Sequence, residues 1–202
     1  MSFAKPLPIE QSASLVVDVQ DSFKADPFRW DRRSNPVFEA NVDRLIRAYR
    51  TAGLPVVFVL HTDEDPHFER DSPHLQLMDF IQRQPAEPLI LKDTRNAFTS
   101  TNLGELLAER GARRIVIAGI QTEQCCETTA RVGADLGYDV DFVTEATLTF
   151  PIRHSDPAVD DELGVADIIR RTEFVLRKRF ARIATVAQVE RELEGVLAPS
   201  SR

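Results

Sequence analysis

Short aliphatic runs alternate with amphipathic segments along almost the whole chain. The runs that predict β-strands are residues 14–18, 55–60, 88–91, 114–118, 138–143 and 182–185. Between these runs, apolar residues recur every three or four positions, which is the periodicity of a helix with one buried face. The predicted helices are residues 41–51, 101–110, 123–136 and 161–177. This alternation is typical of βαβ units, whose strands form a parallel sheet.

The pattern predicts an α/β fold, a Rossmann-like three-layer sandwich with a mainly parallel sheet and helices on both faces. The 202 residues contain no internal repeat and no long linker, so we expect residues 1–202 to form a single domain. Residues 23–36, 62–73 and 147–157 are polar and contain proline, and we expect them to be loops. The first two follow strand ends, where ligands bind in open α/β sheets.

Composition and charge narrow the classes of partner. Hydrophobic residues make up 43% of the chain and charged residues 28%, as in an ordinary globular protein. A net charge of −7 offers no general attraction to nucleic acid or to an anionic membrane, so we expect neither of them as a partner. No apolar run approaches the roughly 20 residues that span a bilayer, and the first residues lack the apolar core of a signal peptide. We therefore expect a cytoplasmic protein.

Three reactive side chains stand at the ends of predicted strands. Asp18 ends the first strand, Lys92 follows the third, and Cys125 lies in the opening of the helix after the fourth. Each alone has an ordinary explanation, as a strand-end cap, a solvated lysine or a small buried residue. Because the carboxyl ends of parallel strands share one edge of a sheet, the three together predict a reactive site.

Cys125 would be the nucleophile of this site, and the thiolate is its reactive form. We expect the helix N-terminus and the Lys92 ammonium to lower the pKa of the thiol. Asp18 would take the thiol proton and later return it, while backbone N–H groups of the turn 119–122 would bind a carbonyl oxygen as it gains charge. A disulfide to the adjacent Cys126 is not expected, since neighbouring cysteines would close a strained ring.

Three motifs contain these residues: VVDVQDSF at 16–23, KDTRNAFTSTNL at 92–103 and GIQTEQCCETTA at 119–130. Their order and spacing are similar to those of the isochorismatase-like cysteine hydrolases, which include nicotinamidases, N-carbamoylsarcosine amidases and ureidoacrylate amidases. The resemblance covers at least residues 14–145, and a weaker match, FARIAT at 180–185, extends it to nearly the whole chain. Three motifs in one order are a specific signal, whereas any one of them alone would be weak.

The resemblance implies a role for each matched residue. Asp18 would be the general base, Lys92 its charge partner and Cys125 the nucleophile, with the N–H groups of Gln121 and Cys125 forming the oxyanion hole. It further implies a cis peptide bond between Ile120 and Gln121. The reaction implied is hydrolysis of a C–N bond in a small amide or ureido compound through a thioester, without an organic cofactor. Relatives commonly assemble, which implies a homo-oligomer.

The departures from the family concern a metal and the neighbouring cysteine. Nicotinamidases carry an Asp-x-His pair that binds a divalent metal, but residues 61–67 read HTDEDPH here, with Asp65 where the first histidine is expected. His61, Asp63 and His67 are weak candidate ligands, and a solvated loop without bound metal is the favoured interpretation. Cys126 stands where relatives usually carry valine, which implies a buried and inert residue.

The sequence leaves the roles of several further residues undecided and allows other functions. Phe23 and Trp30 follow the Asp18 strand and either line the substrate pocket or pack their loop onto the core. Arg153 and His154 receive no role. Three alternative functions are isochorismate enol-ether hydrolysis with Asp18 as the acid, a redox or regulatory thiol pair of Cys125 and Cys126, and a scaffold with vestigial motifs. The motifs do not specify which amide is cleaved.

Overall fold

Six parallel strands form the central sheet of the computed structural model, which describes residues 6–197. They are β1 (Ser12–Val17), β2 (Val56–His61), β3 (Leu89–Lys92), β4 (Arg114–Ile120), β5 (Asp139–Leu148) and β8 (Arg182–Ile183). Their order across the sheet is β3-β2-β1-β4-β5-β8. A separate antiparallel pair consists of β6 (Ile152–Arg153) and β7 (Glu162–Leu163). The predicted parallel sheet is confirmed.

Helices cover both faces of this sheet, as predicted. They are α1 (Pro27–Asp31), α2 (Phe38–Thr51), α3 (Leu103–Glu109), α4 (Glu127–Asp135), α5 (Val165–Leu176) and α6 (Val186–Leu197). Buried residues of α2 and α6 pack on one face, and buried residues of α3, α4 and α5 contribute to the core on the other. Within residues 6–197, no helix combines the length and the apolar character needed to cross a membrane.

The burial of the central strands on both faces explains why the aliphatic runs in the sequence predict them correctly. Every residue of β1, β2 and β4 is buried, and such strands are nearly continuous aliphatic runs rather than alternating ones. Gly119 in β4 has a φ of 141°, and a Cβ there would lie 1.9 Å from the carbonyl oxygen of Val17 in β1. Glycine at this position therefore allows β4 to lie directly against β1.

Several predicted boundaries were wrong. The sequence 186–197 was not predicted as a helix, although Val186, Val189 and Leu193 form the buried face of α6. The predicted loop 23–36 contains α1, and the predicted loop 147–157 contains the end of β5 and the strand β6. The predicted helix 123–136 begins as a π-helical turn, Thr122–Cys126, before α4 starts.

A buried ionic network lies at the amino-terminal edge of the strands, and we call it the amino-edge network. It consists of Arg114, Asp141, Arg182 and Glu192. Arg114 Nη1 also donates to the carbonyl oxygen of Leu7 at 2.7 Å. Arg114 and Asp141 are almost fully buried, and each of them has partners for its polar atoms within the network or in Leu7. This edge of the sheet is therefore bound together by paired charges.

Candidate active site

Asp18, Lys92 and Cys125 meet at the opposite, carboxyl-terminal edge. Asp18 directly follows β1, Lys92 is the last residue of β3, and Cys125 lies in the π-helical turn after β4. Lys92 Nζ is 2.8 Å from Asp18 Oδ2 and 3.3 Å from Cys125 Sγ. Asp18 and Lys92 are completely buried, and Cys125 is 4% exposed. The structure thus brings the three residues predicted at separate strand ends into one buried group.

The conformation of Asp18 is unusual. Its φ of 53° lies in the left-handed region, which is uncommon for residues other than glycine and costs on the order of 1 kcal/mol or more. Its N–H donates to the carbonyl oxygen of Val59 in β2 at 2.8 Å. Neither carboxylate oxygen has a hydrogen-bond partner within residues 6–197, because the short contact with Lys92 lies off the hydrogen-bonding directions. The Asp18 carboxylate therefore has lone pairs free to accept a proton.

The Lys92 ammonium has further partners that the motifs did not reveal. Its Nζ lies 3.1 Å from Nδ1 of His61 and donates to the carbonyl oxygen of Thr94 at 3.2 Å. His61 and Lys92 are neighbours in the register of β2 and β3. Their proximity could have been inferred from the sequence only by aligning the ends of these two strands. We call Asp18, His61, Lys92 and Cys125 the carboxyl-edge cluster.

His61 is held firmly in this cluster. The side chain of Gln20 binds the His61 backbone twice, donating to its carbonyl oxygen at 3.0 Å and accepting from its N–H at 2.7 Å. Burial lowers the pKa of the imidazole, and the Lys92 ammonium lowers it further. His61 is therefore neutral near neutral pH. Gln20 belongs to the first sequence motif, so that motif also fixes the end of β2.

The protonation of Cys125 differs from the sequence-based expectation. Burial raises the pKa of the thiol to about 12, and the negative charge of Asp18 raises it further, while Lys92 only partly offsets these effects. The expected lowering was wrong because it considered the ammonium and the helix terminus but not the loss of solvent around the sulfur. In the resting site the proton is on the thiol.

The turn before Cys125 has a distinctive backbone. The peptide bond between Ile120 and Gln121 is cis. The N–H groups of Gln124 and Cys126 both donate to the carbonyl oxygen of Gln121 at 3.2 Å, which closes the turn. Cys126 is completely buried, and burial raises the pKa of its thiol well above the ordinary value. The two cysteines are unequal neighbours, and both are free thiols.

Comparison with known proteins identifies the family of this chain. The family model of the Isochorismatase domain matches residues 12–173, which is most of the chain. The chain belongs to the isochorismatase family. The Bacillus subtilis isochorismatase family protein YrdC is 30% identical to it over 182 residues, covering 89% of this chain and 95% of its own.

Two further relatives carry names of amide-cleaving enzymes. Nicotinamidase 3 of Arabidopsis thaliana is 30% identical over 154 residues, covering 69% of this chain and 74% of its own. Ureidoacrylate amidohydrolase RutB of Pseudomonas syringae pv. syringae is 26% identical over 183 residues, covering 71% and 75%. The crystal structure of a cysteine hydrolase from Pseudomonas syringae pv. phaseolicola shares the fold, with a TM-score of 0.85 at 23% identity over 97% of this chain and 100% of that one. The chain is an isochorismatase-family hydrolase.

The metal ligands considered for this isochorismatase-family chain do not converge. His61 Nε2 is 3.3 Å from Asp63 Oδ2, but His67 is exposed and its ring packs 5.3 Å from that of His74. Both ring nitrogens of His61 face cationic side chains, which is unsuitable for a metal ligand. Within residues 6–197 no three His, Cys, Asp or Glu side chains group closely enough to hold an ion. The residues present do not fit the metal site of nicotinamidases.

An aromatic group adjoins the carboxyl-edge cluster of this hydrolase. The ring of Phe68 lies 6.1 Å from that of His61 and 5.1 Å from that of Phe23. Phe23 and Trp30 both pack against Phe150, at 6.1 and 6.2 Å. Phe23 is 7% exposed and belongs to the core, while Trp30 packs at its margin. That these two residues line the substrate pocket stays a prediction.

A separate cavity lies near α1 and the segment 153–162. It has a volume of about 630 Å³ and is lined by residues of α1 and of the segment 153–162, including Arg153 and His154. None of Asp18, Lys92 and Cys125 lines it. The polar contacts of the Arg153 and His154 side chains are instead with Glu162 and Asp156.

Proposed function

We propose that this isochorismatase-family hydrolase cleaves the C–N bond of a small amide or ureido compound through a thioester on Cys125. The observation that carries the proposal is the contact of one buried ammonium, Lys92 Nζ, with both the carboxylate of Asp18 and the sulfur of Cys125. This arrangement supplies a base, a nucleophile and a positive charge between them, which is the set that acyl transfer requires. The names of two relatives, a nicotinamidase and an amidohydrolase, support the same reaction class.

The first half of the proposed reaction forms the acyl-enzyme. Asp18 takes the proton from the Cys125 thiol as the sulfur attacks the substrate carbonyl carbon, because the resting thiol is protonated. The N–H groups of Gln121 and Cys125 bind the oxygen as it becomes negative. The C–N bond then breaks, and protonated Asp18 delivers the proton to the departing nitrogen. The products of this half are an amine or ammonia and a thioester.

The second half releases the acid. Asp18, again a carboxylate, removes a proton from a water molecule that attacks the thioester carbonyl. The carbon–sulfur bond breaks, and the thiolate regains the proton from Asp18. Lys92 keeps a positive charge beside whichever of Asp18 and Cys125 is negative. Because each proton is taken and returned by these residues, we propose that no organic cofactor or metal is required.

The test is an ammonia-release screen over nicotinamide, carbamoyl and ureido compounds. The Cys125→Ala variant should lose at least 10³-fold in kcat/KM on any amide that the wild type hydrolyses. Cys126→Ala is the matched control, since its sulfur is one residue away and fully buried, and it should retain activity. Ammonia release that persists without the Cys125 thiol would contradict the thioester mechanism.

The alternative of a regulatory thiol pair is tested without substrate. A regulatory thiol pair would form a bond between Cys125 and Cys126 after mild peroxide treatment, which mass spectrometry would detect and which the proposal does not predict. Slow alkylation of Cys125 at neutral pH, by contrast, is expected of the enzyme itself because the thiol is buried and protonated. Light scattering would test the proposal, based on relatives, that the chain forms a homo-oligomer.

A further inference from the structure

The Lys92 ammonium has more acceptors than protons. It carries three N–H donors. Four acceptors surround it: Asp18 Oδ2 at 2.8 Å, His61 Nδ1 at 3.1 Å, the carbonyl oxygen of Thr94 at 3.2 Å and Cys125 Sγ at 3.3 Å. The short Asp18 contact lies off the hydrogen-bonding directions, so the charged acceptor does not receive a well-aligned bond. The three N–H groups here serve His61, Thr94 and Cys125, so an N–H that turns to the nearer carboxylate of Asp18 must leave one of these three acceptors.

His61 is the only one of these acceptors that can be withdrawn without a change in charge. The carbonyl of Thr94 always accepts, and Asp18 and Cys125 change their hydrogen bonding only by gaining or losing a proton. A neutral imidazole carries one N–H and one lone pair, on either of its two nitrogens. Nδ1 accepts from Lys92 only in the tautomer that carries its proton on Nε2.

Two side chains at Nε2 make opposite demands on this tautomer. Asp63 Oδ2, at 3.3 Å, accepts and therefore favours a proton on Nε2. Arg95 Nη1, at 2.7 Å, donates and therefore favours a lone pair there, which moves the proton to Nδ1. The two charges are 3.9 Å apart, and Arg95 is 54% exposed while His61 is buried. The charged groups that face His61 from all sides are thus Lys92, Asp18, Arg95 and Asp63.

We propose that His61 competes with Cys125 for one N–H of Lys92, and that Asp63 and Arg95 set the outcome by selecting the His61 tautomer. The proposal rests on the proposed role of Cys125 as nucleophile. His61 is a positioning residue in this scheme, since it acts on the sulfur only through Lys92.

Two arrangements follow. With the proton on Nε2, His61 accepts an N–H of Lys92 through Nδ1 and donates to Asp63 through Nε2. The Cys125 sulfur then receives only a weak hydrogen bond from Lys92. With the proton on Nδ1, Nε2 accepts from Arg95, Lys92 turns away from His61, and its N–H stabilises a thiolate on Cys125. The imidazole keeps one proton in both arrangements. The exposed pair Asp63 and Arg95 thereby tunes a sulfur that neither of them contacts.

A matched pair of variants tests the competition. His61→Asn retains an acceptor near the position of Nδ1 that no tautomer can withdraw, whereas His61→Leu has similar size and no acceptor; neither changes the charge. The pH profile of iodoacetamide labelling at Cys125, resolved by mass spectrometry, should shift to lower pH in the Leu variant, by about one to two pH units relative to the Asn variant. The profile is compared rather than one rate, because a change in access alters the rate at every pH equally. Coincident profiles would overturn the proposal.

A second measurement does not depend on substituting His61. The ¹⁵N shifts of its ring report the tautomer directly, and they should move toward the Nδ1–H form in Asp63→Ala and toward the Nε2–H form in Arg95→Ala. A simple change of surface charge would move the labelling profile but not the tautomer. An imidazolium, or one unchanged tautomer in all three proteins, would refute the inference. Neither experiment uses a substrate, so this failure is distinguishable from a failure of the proposed amide hydrolysis.

Discussion

The two edges of one sheet hold buried charges in contrasting ways. In the amino-edge network, the Nε, Nη1 and Nη2 atoms of Arg114 each donate to an acceptor, and Asp141 accepts on both oxygens. In the carboxyl-edge cluster, Asp18 forms an ion pair with Lys92 but its oxygens have no hydrogen bond from residues 6–197, and four acceptors surround the three N–H groups of Lys92. A fully paired network fixes structure, while an incompletely paired one keeps protons and lone pairs available for chemistry.

The largest expected effect is the loss of activity when Asp18 of the carboxyl-edge cluster is replaced. Asp18→Asn has the same shape but cannot take the thiol proton. We expect kcat/KM to fall by up to 10⁴-fold, or about 5.5 kcal/mol of activation free energy. The measurement is steady-state hydrolysis of whichever amide the screen identifies. Retention of more than a tenth of the activity would show that Asp18 is not the base.

The same substitution at the paired edge should affect folding instead. Asp141→Asn leaves Arg114 and Arg182 without their shared carboxylate, and breaking a buried ionic group of this kind costs about 3 to 5 kcal/mol. Urea unfolding would measure this loss, with Glu190→Gln in the more exposed Arg44–Glu190 pair as the control of smaller effect. We expect kcat of the folded Asp141→Asn protein to be unchanged. A loss of activity in the fully folded variant would contradict the assignment of stability to the amino-edge network and activity to the carboxyl-edge cluster.

Alkaline pH should weaken the carboxyl edge specifically. The Cys125 thiol has a pKa of about 12 in the folded protein against 9.0 ordinarily, so above pH 9 the unfolded chain loses its proton first and folding becomes less favourable. Between pH 8 and pH 10 the wild type should lose about 1 kcal/mol more stability than Cys125→Ala. Urea unfolding at the two pH values measures the difference. Equal losses in both proteins would mean that the thiol is not desolvated.

Low pH, in contrast, should reduce the stability contributed by the amino-edge network. Burial disfavours the charge of Glu192, but hydrogen bonds from Arg182 and Arg114 hold its pKa below the ordinary value. Its contribution to stability is therefore present above the ordinary glutamate pKa and is lost as the pH falls through the lower folded value. Glu192→Gln should make stability less sensitive to pH below about pH 4.5. An unchanged acid profile would argue against this assignment.

The smallest effect on stability is expected for an arginine–carboxylate pair at the surface. Arg44 and Glu190 form a bidentate pair, but their side chains are 47% and 26% exposed. Glu190→Gln should change stability by less than about 1 kcal/mol, because water and salt screen such pairs. A loss approaching that of Asp141→Asn would show that burial is not what distinguishes the amino-edge network.

The sequence predicted those features that depend on one segment at a time. Strands buried on both faces are recognisable as aliphatic runs, and a reactive residue at each strand end pointed to a common edge. The segment 186–197 has the same helical spacing of apolar residues, with Val186, Val189 and Leu193 on one face. Its buried face becomes evident only against α2, which it packs beside.

The missed features depend on contacts between segments. The contact of His61 with Lys92 requires the register of β2 against β3, and no spacing within either motif specifies it. The direction of the Cys125 pKa requires knowledge of how much solvent the sulfur loses. The neighbouring positive charge predicted a lowered pKa for the Cys125 thiol, whereas burial in the folded protein raises it.

Gly119 links the chemistry of this hydrolase to the spacing of its backbone. A methyl group at this residue would overlap the Val17 carbonyl, immediately before Asp18, so β4 and β1 would have to separate. Asp18 and Cys125 follow these two strands, and any such separation would lengthen the path of the proton in the proposed reaction. Replacement of Gly119 by any larger residue is therefore expected to disturb the site from a distance, even though the residue carries no reactive group.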